Sequence, residues 1–251
     1  MTDQILTSIQ DGVLQLRINR PEKKNALSED MYAALAHAVR EADRNADVRV
    51  LTLTGTGDSF TSGNDLADFL KRDSSSSDGR AVGAFLSAIA SAQKPLIAAV
   101  NGMAIGIGVT MLLHCDLVYA AESATFQMPF TNLGVVPEAA SSQLLPQMVG
   151  YHRAAELMLL GERIDARRAL EIGLVNGLCP ASELGAVLAA RAAVIAAKPA
   201  SSILATKALL RRAPESTLAR MSVENREFAR LLQLPEAQAI MQAFLDRRKS
   251  S

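Results

Sequence analysis

Strand-like and helix-like segments are unevenly distributed along this 251-residue chain. Segments with the pattern of strands occupy 14–18, 48–54, 95–100 and 116–120, all in the first half. From Ser141 onward the apolar residues recur almost entirely at helical spacing, with breaks at glycines and prolines. This asymmetry predicts an α/β chain in which a sheet-containing core is followed by helices, and it argues against a symmetric barrel.

The composition excludes several classes of function. Basic and acidic side chains are equal in number, 26 of each, so no overall field favours nucleic acid or an anionic membrane. The longest apolar stretch, 95–113, contains an asparagine and three glycines and does not predict a membrane span. Residues 1–10 do not resemble a secretory signal, and Cys115 and Cys179 have no metal-ligand spacing. We therefore expect a cytoplasmic protein without a metal.

Glu138 is the strongest candidate for a chemical role. It follows Pro137 and a run of apolar residues that includes Leu133, Val135 and Val136. A carboxylate among such residues loses solvation, which raises its pKa toward that of a useful general base. The alternative is structural, because an acidic residue in the first turn of a helix is stabilised by the helix dipole.

Two glycine-containing turns, 59–65 and 101–108, each follow a predicted strand and precede a predicted helix. Backbone N–H groups at such a helix start have no partner within the helix and can bind an anion. The alternative is that the glycines only permit tight turns. One base together with two amide donors suits proton abstraction next to a carbonyl.

Several motifs in this order resemble the enoyl-CoA hydratase/isomerase (crotonase) superfamily. They are Ile18-Asn19-Arg20-Pro21-Glu22-Lys23-Lys24-Asn25-Ala26-Leu27-Ser28 and the segments 60–66, 99–108, 116–121 and 166–175. The resemblance implies a spiral of ββα units in residues 1–195 and a C-terminal helical trimerisation region in 196–251, forming one structural unit. It also implies a homo-trimer or a dimer of trimers.

The same resemblance implies the site residues. The backbone N–H groups of Asn64 and Ile107 are expected to form an oxyanion hole for the thioester carbonyl. Residues expected to bind the substrate and its CoA moiety are Lys23, Ala26, Leu27, Ser62, Gly63, Asp65 and Leu66. Residues expected to line the acyl pocket are Phe69, Thr110, Phe130, Leu133 and Val136.

Departures from the hydratase pattern narrow the expected activity. Similar hydratases carry two glutamates, where this chain has Thr110 and Phe130. The Pro137-Glu138 pair instead resembles the peroxisomal-type enoyl-CoA delta isomerases, in which this glutamate is the catalytic base. The resemblance therefore implies a shift of the double bond of a 3-enoyl-CoA in fatty acid oxidation, with acyl-CoA as substrate and no cofactor.

The sequence leaves other functions open. The chain could be an enoyl-CoA hydratase or another crotonase-fold acyl-CoA enzyme, or a catalytically silent acyl-CoA-binding scaffold. Because Thr110 cannot act as a base, its replacement by alanine is expected to leave the isomerase rate within a few-fold. Residues 72–79, a serine-rich segment, are expected to form either a lid over the acyl pocket or a solvated loop.

Overall fold

A computed structural model of the chain describes residues 3–65 and 81–249. In this part of the chain a six-stranded sheet has the order β1-β2-β3-β5-β7-β10. Only β1 is antiparallel to its neighbour. The strands are β1 (Ile5–Gln10), β2 (Val13–Ile18), β3 (Val50–Gly55), β5 (Leu96–Val100), β7 (Leu117–Ala121) and β10 (Gly177–Cys179).

A smaller, four-stranded sheet carries the site. Its order is β4-β6-β8-β9, with β4, β6 and β8 parallel and β9 antiparallel to β8. The strands are β4 (Ser59–Thr61), β6 (Met103–Ile105), β8 (Thr125–Gln127) and β9 (Arg163–Asp165). Because parallel strands end at the same edge of a sheet, the segments after β4, β6 and β8 lie together.

Ten α-helices are described, with bounds close to those expected from the apolar spacing. Ser28 caps α1, since its side chain accepts a hydrogen bond from the Met31 N–H. Helix α7 packs against the six-stranded sheet. The helices are α1 (Glu29–Arg44), α2 (Ala81–Ser91), α3 (Ile107–Thr110), α4 (Ser141–Val149), α5 (Tyr151–Leu160), α6 (Ala166–Glu171), α7 (Leu184–Ala196), α8 (Ala200–Leu210), α9 (Thr217–Leu232) and α10 (Pro235–Lys249).

The α/β class is confirmed, but the second half of the chain is less purely helical than predicted. Strands β9 and β10 both lie after Ser141. Each has three residues, which is too short for an alternating pattern to be visible in sequence. Among the described residues no single helix is long and apolar enough to cross a membrane; α7 and α8 pass that test only as a pair bent by 104°.

An ion pair between a buried lysine and a partly exposed aspartate attaches α8 to the sheet. Lys207 donates from Nζ to the Lys94 carbonyl and to Asp116 Oδ2, both at 2.7 Å. The same carboxylate oxygen accepts the Leu96 N–H at the start of β5. Arg211, one turn further along, lies 3.7 Å from Asp116 Oδ1. The pair therefore joins a C-terminal helix to the ends of two central strands.

We expect Lys207→Met to lower the free energy of unfolding by about 2 kcal/mol, because it leaves Asp116 partly buried with a weaker cation partner. Urea unfolding at one fixed protein concentration would measure this. Lys198→Met, at an exposed position, is the control and should change the value by less than about 0.5 kcal/mol. Equal effects of the two substitutions would contradict a structural role for the ion pair between Lys207 and Asp116.

Candidate active site

The turn after β4 presents the backbone N–H of Asn64. Gly63 has φ of +98°, a conformation that favours glycine. Its carbonyl accepts the Leu27 N–H at 2.8 Å, and the Leu27 carbonyl accepts the Asp65 N–H at 2.9 Å. The Asn64 N–H between these two bonds has no acceptor among the described residues. It is therefore available to a ligand, and its role in an oxyanion hole stays a prediction.

The turn after β6 presents a second donor. Gly106 has φ of +57° and ψ of −116°, and its N–H is bonded to the Gln127 carbonyl at the end of β8. Helix α3 begins at Ile107, whose N–H lies at the helix start and has no acceptor in the described ranges. Ile107 and Asn64 thus follow neighbouring parallel strands at one edge of the sheet.

Glycine contacts hold the two turns against each other. A Cβ atom on Gly63 would lie 3.0 Å from the Ile105 carbonyl oxygen. A Cβ atom on Gly108 would lie 2.7 Å from Thr61 Cγ2 and 3.1 Å from the Thr61 carbonyl oxygen. A larger side chain at either position would push the turns apart, so the sequence requires glycine for a geometric reason.

Two side chains missed by the sequence analysis support the Asn64 turn. Tyr32 on α1 donates its hydroxyl hydrogen to Asn64 Oδ1 at 2.6 Å. Arg20 donates to the Ala26 carbonyl at 3.2 Å and to Asp65 Oδ2 at 2.7 Å. Arg20 lies inside the Asn19-Arg20-Pro21 motif and Asp65 beside Asn64, but no local pattern indicates that they pair.

The two segments predicted to bind CoA run side by side. The Ser62 N–H donates to the Lys24 carbonyl at 2.9 Å, and its hydroxyl donates to the Lys23 carbonyl at 3.4 Å. Lys23 is exposed, Ala26 is half-buried and Leu27 is buried. Their role in binding CoA stays a prediction. Leu66, Phe69 and the segment 72–79 lie outside the described residues.

Glu138 reaches from its loop to α3. Its Oε1 accepts the Thr110 hydroxyl at 2.5 Å, and Thr110 is fully buried. Burial raises the pKa of Glu138 above its ordinary value, while the Thr110 hydrogen bond opposes that shift. Since Ile107 starts the same one-turn helix, the carboxyl contacts the element that carries the second donor. The hydrogen bond of this carboxyl is thus with Thr110 and not with an N–H of α4.

The backbone around Glu138 is unusual. Ala139 and Ala140 have φ of +58° and +53°, a left-handed conformation that is costly for alanine. The Glu138 carbonyl accepts the Ser141 N–H at 3.0 Å and the Ser141 hydroxyl at 2.6 Å. The Ala139 carbonyl lies 2.9 Å from His114 Nε2. These bonds compensate the strain and hold the Glu138 loop in place.

The predicted acyl-pocket residues fall into two groups. Thr110 and Phe130 are buried, whereas Leu133 and Val136 are 60% and 81% exposed. These two residues before Glu138 are thus largely exposed, while burial raises the pKa of the Glu138 carboxyl as predicted. Contact of Leu133 and Val136 with an acyl chain stays a prediction. Among the described residues no three His, Cys, Asp or Glu side chains form a metal-binding cluster.

A known protein family and individual relatives match most of the chain. The family described as enoyl-CoA hydratase/isomerase matches residues 8–251. Enoyl-CoA delta isomerase 2 of Rattus norvegicus is 38% identical over 213 residues, covering 83% of this chain and 54% of that protein. 2,3-Dehydroadipyl-CoA hydratase of Escherichia coli (strain K12) is 31% identical over 246 residues, covering 98% and 96%.

A solved structure agrees with this family match. A protein of the enoyl-CoA hydratase/carnithine racemase type from Magnetospirillum magneticum AMB-1 superimposes with a TM-score of 0.95. The two are 42% identical, with 98% of this chain and 97% of that one covered. The chain spans between 54% and 58% of the length of three delta isomerases that it matches.

The glycine contact between the two turns can be tested by Gly108→Ala. Because the added methyl group would collide with Thr61, we expect the turns to separate and the activity toward an acyl-CoA substrate to fall at least tenfold. Gly185→Ala is the matched control, since an added Cβ there meets nothing within 4 Å. It should leave activity unchanged and stabilise α7 slightly. Wild-type turnover by Gly108→Ala would contradict this geometry.

Proposed function

We propose that this chain, which belongs to the enoyl-CoA hydratase/isomerase family, is an enoyl-CoA delta isomerase. The family match and the similar solved structure confirm the family resemblance and the crotonase-like fold that the motifs predicted. The observation that carries the proposal is the contact of Glu138 with α3, the helix that begins at Ile107. A carboxyl group whose pKa is raised by burial thus contacts the short helix that begins with a free backbone donor.

The proposed mechanism uses one base and two backbone donors. Glu138 removes a proton from C2 of a 3-enoyl-CoA, where the thioester acidifies the C–H bond. The negative charge moves to the thioester oxygen, which accepts hydrogen bonds from the N–H groups of Asn64 and Ile107. The same carboxyl returns the proton to C4, and the product is the conjugated 2-enoyl-CoA. Each residue acts by proton transfer or by charge stabilisation.

Hydration is the alternative within the family, because a hydratase is among the relatives. The positions at which similar hydratases are expected to carry glutamates hold Thr110 and Phe130. Neither side chain can act as the base that activates water. A silent acyl-CoA-binding scaffold would bind the substrate and show neither activity.

The assay compares the double-bond shift of 3-hexenoyl-CoA with the hydration of crotonyl-CoA. We expect the shift to be much faster, and Glu138→Gln to reduce it at least 100-fold, since an amide cannot accept the proton. Glu122→Gln, at an exposed glutamate, should keep wild-type activity. Retention of more than about a tenth of the rate by folded Glu138→Gln would exclude Glu138 as the base.

Assembly is a separate proposal. Apolar side chains are exposed along α9 and α10, among them Leu218, Met221, Phe228, Ile240 and Leu245. A surface of this kind is typical of an interface. We propose a homo-trimer or a dimer of trimers, with acyl-CoA as the bound substrate.

Analytical ultracentrifugation at micromolar concentration should therefore give a trimer or a hexamer. Phe228→Glu should shift the distribution toward smaller species, because the new charge would be buried in the interface. Leu6→Glu, on the exposed edge strand β1, is the control and should leave it unchanged. A monomeric wild-type chain would exclude this assembly.

A further inference from the structure

Thr110 and His114 lie four residues apart and contact consecutive residues of the Glu138 loop. The Thr110 hydroxyl donates to Glu138 Oε1 at 2.5 Å, and His114 Nε2 lies 2.9 Å from the Ala139 carbonyl oxygen. Both side chains are buried. A 3₁₀ turn, Met111–His114, directly continues α3 between them. The segment after the Gly106 turn therefore contacts both the Glu138 carboxyl and the backbone beside it.

His114 acts on the loop backbone. A carbonyl oxygen can only accept, so Nε2 carries the hydrogen in this contact. Burial lowers the pKa of His114, which favours the neutral ring. The Arg211 guanidinium donates to the His114 carbonyl from α8, and this positive charge also favours the neutral ring. His114 thus holds Ala139 in its left-handed conformation.

The two oxygens of the Glu138 carboxyl differ in their surroundings. Oε1 accepts the Thr110 hydroxyl, whereas no described residue donates a hydrogen bond to Oε2. An oxygen with a hydrogen bond already made is a weaker proton acceptor than its free partner on the same carboxylate. Oε1 is thus held by Thr110, whereas Oε2 is available to accept a proton.

We propose that Thr110 is a positioning residue that anchors Oε1 of Glu138 and leaves Oε2 as the single atom that carries the proton. This role rests on the isomerase function proposed above. The C2–H bond breaks and its proton goes to Oε2, while the electron pair moves onto the thioester oxygen. The pair then returns, the double bond forms between C2 and C3, and Oε2–H gives its proton to C4. Thr110 donates to Oε1 throughout both steps.

The structure predicts a larger effect of losing the Thr110 side chain than the sequence does. The sequence predicts a small effect on the isomerase rate, because a hydroxyl is not a base. A hydrogen bond to a charged group is worth more than a neutral one, and its loss here would correspond to about a 10- to 100-fold effect. Thr110 would contribute by holding the Glu138 carboxyl in one orientation, and not by acting as a base itself.

The test compares Thr110→Val, which removes the hydroxyl at nearly constant size, with Thr110→Ser, which keeps it. For 3-hexenoyl-CoA we expect Thr110→Val to lower kcat at least tenfold with little change in KM, and Thr110→Ser to stay within a few-fold of wild type. The acid limb of kcat/KM for Thr110→Val should move to higher pH, because the bond that favours the carboxylate is lost. Circular dichroism would establish that both variants fold.

Thr54→Val provides the matched control. Its hydroxyl donates to the Ala99 carbonyl at 2.9 Å in the six-stranded sheet, so the substitution also removes one side-chain hydrogen bond. It should leave kcat and the pH profile unchanged. His114 contacts the carbonyl of Ala139 beside Glu138, and Arg211 and Asp116 follow behind it; all three are intact in these variants.

A direct titration of Glu138 completes the design. Carbon NMR of glutamate-labelled protein, assigned with Glu138→Gln, should show a higher pKa for Glu138 in Thr110→Val than in wild type. A folded Thr110→Val variant with wild-type kcat, or one that loses activity without a change in this pKa, would overturn the positioning role alone. Absence of isomerase activity in the wild-type chain would overturn the proposed function and this role with it.

Discussion

The close approach of two turns at the edge of the four-stranded sheet is the constraint on which the site depends. Because β4 and β6 are parallel neighbours, the chain leaves both strands at the same edge. Gly63 then meets the Ile105 carbonyl and Gly108 meets Thr61, at distances that leave no room for a side chain. The donors on Asn64 and Ile107 are backbone groups, so their separation is set by this packing and not by rotamers. Preorganised donors of this kind need no rearrangement when charge develops on a ligand.

The position of Glu138 depends on a different kind of support. Two consecutive alanines in the left-handed region cost free energy, and the loop keeps this shape through bonds to Ser141 and His114. His114 is itself tied to α8 through Arg211, a helix that Lys207 attaches to the sheet. The position of Glu138 therefore depends on contacts that extend from the small sheet to the C-terminal helices.

Local patterns in the sequence predicted the elements of the site better than their connections. The Ser28 cap, the strand 95–100 and the two glycine turns follow from chemistry within a few residues, and each is present. The hydrogen bond from Thr110 to Glu138 joins residues 28 apart, so no local rule could predict it. The rise in the pKa of Glu138 and its main cause, loss of solvation, were predicted from the sequence, whereas the exposure of Leu133 and Val136 was not.

The burial of Glu138 links the protonation of its carboxyl to the stability of the whole chain. Folding raises the pKa of this carboxyl above 4.5, its ordinary value, so the folded chain binds this proton more tightly than the unfolded chain does. This contribution to the free energy of unfolding is fully present below pH 4.5 and is lost as the pH rises through the raised pKa. Above that range the ionised carboxylate lowers the stability of the protein that carries it. At such pH values a neutral side chain at position 138 would make a more stable protein, and selection for stability alone would remove the glutamate.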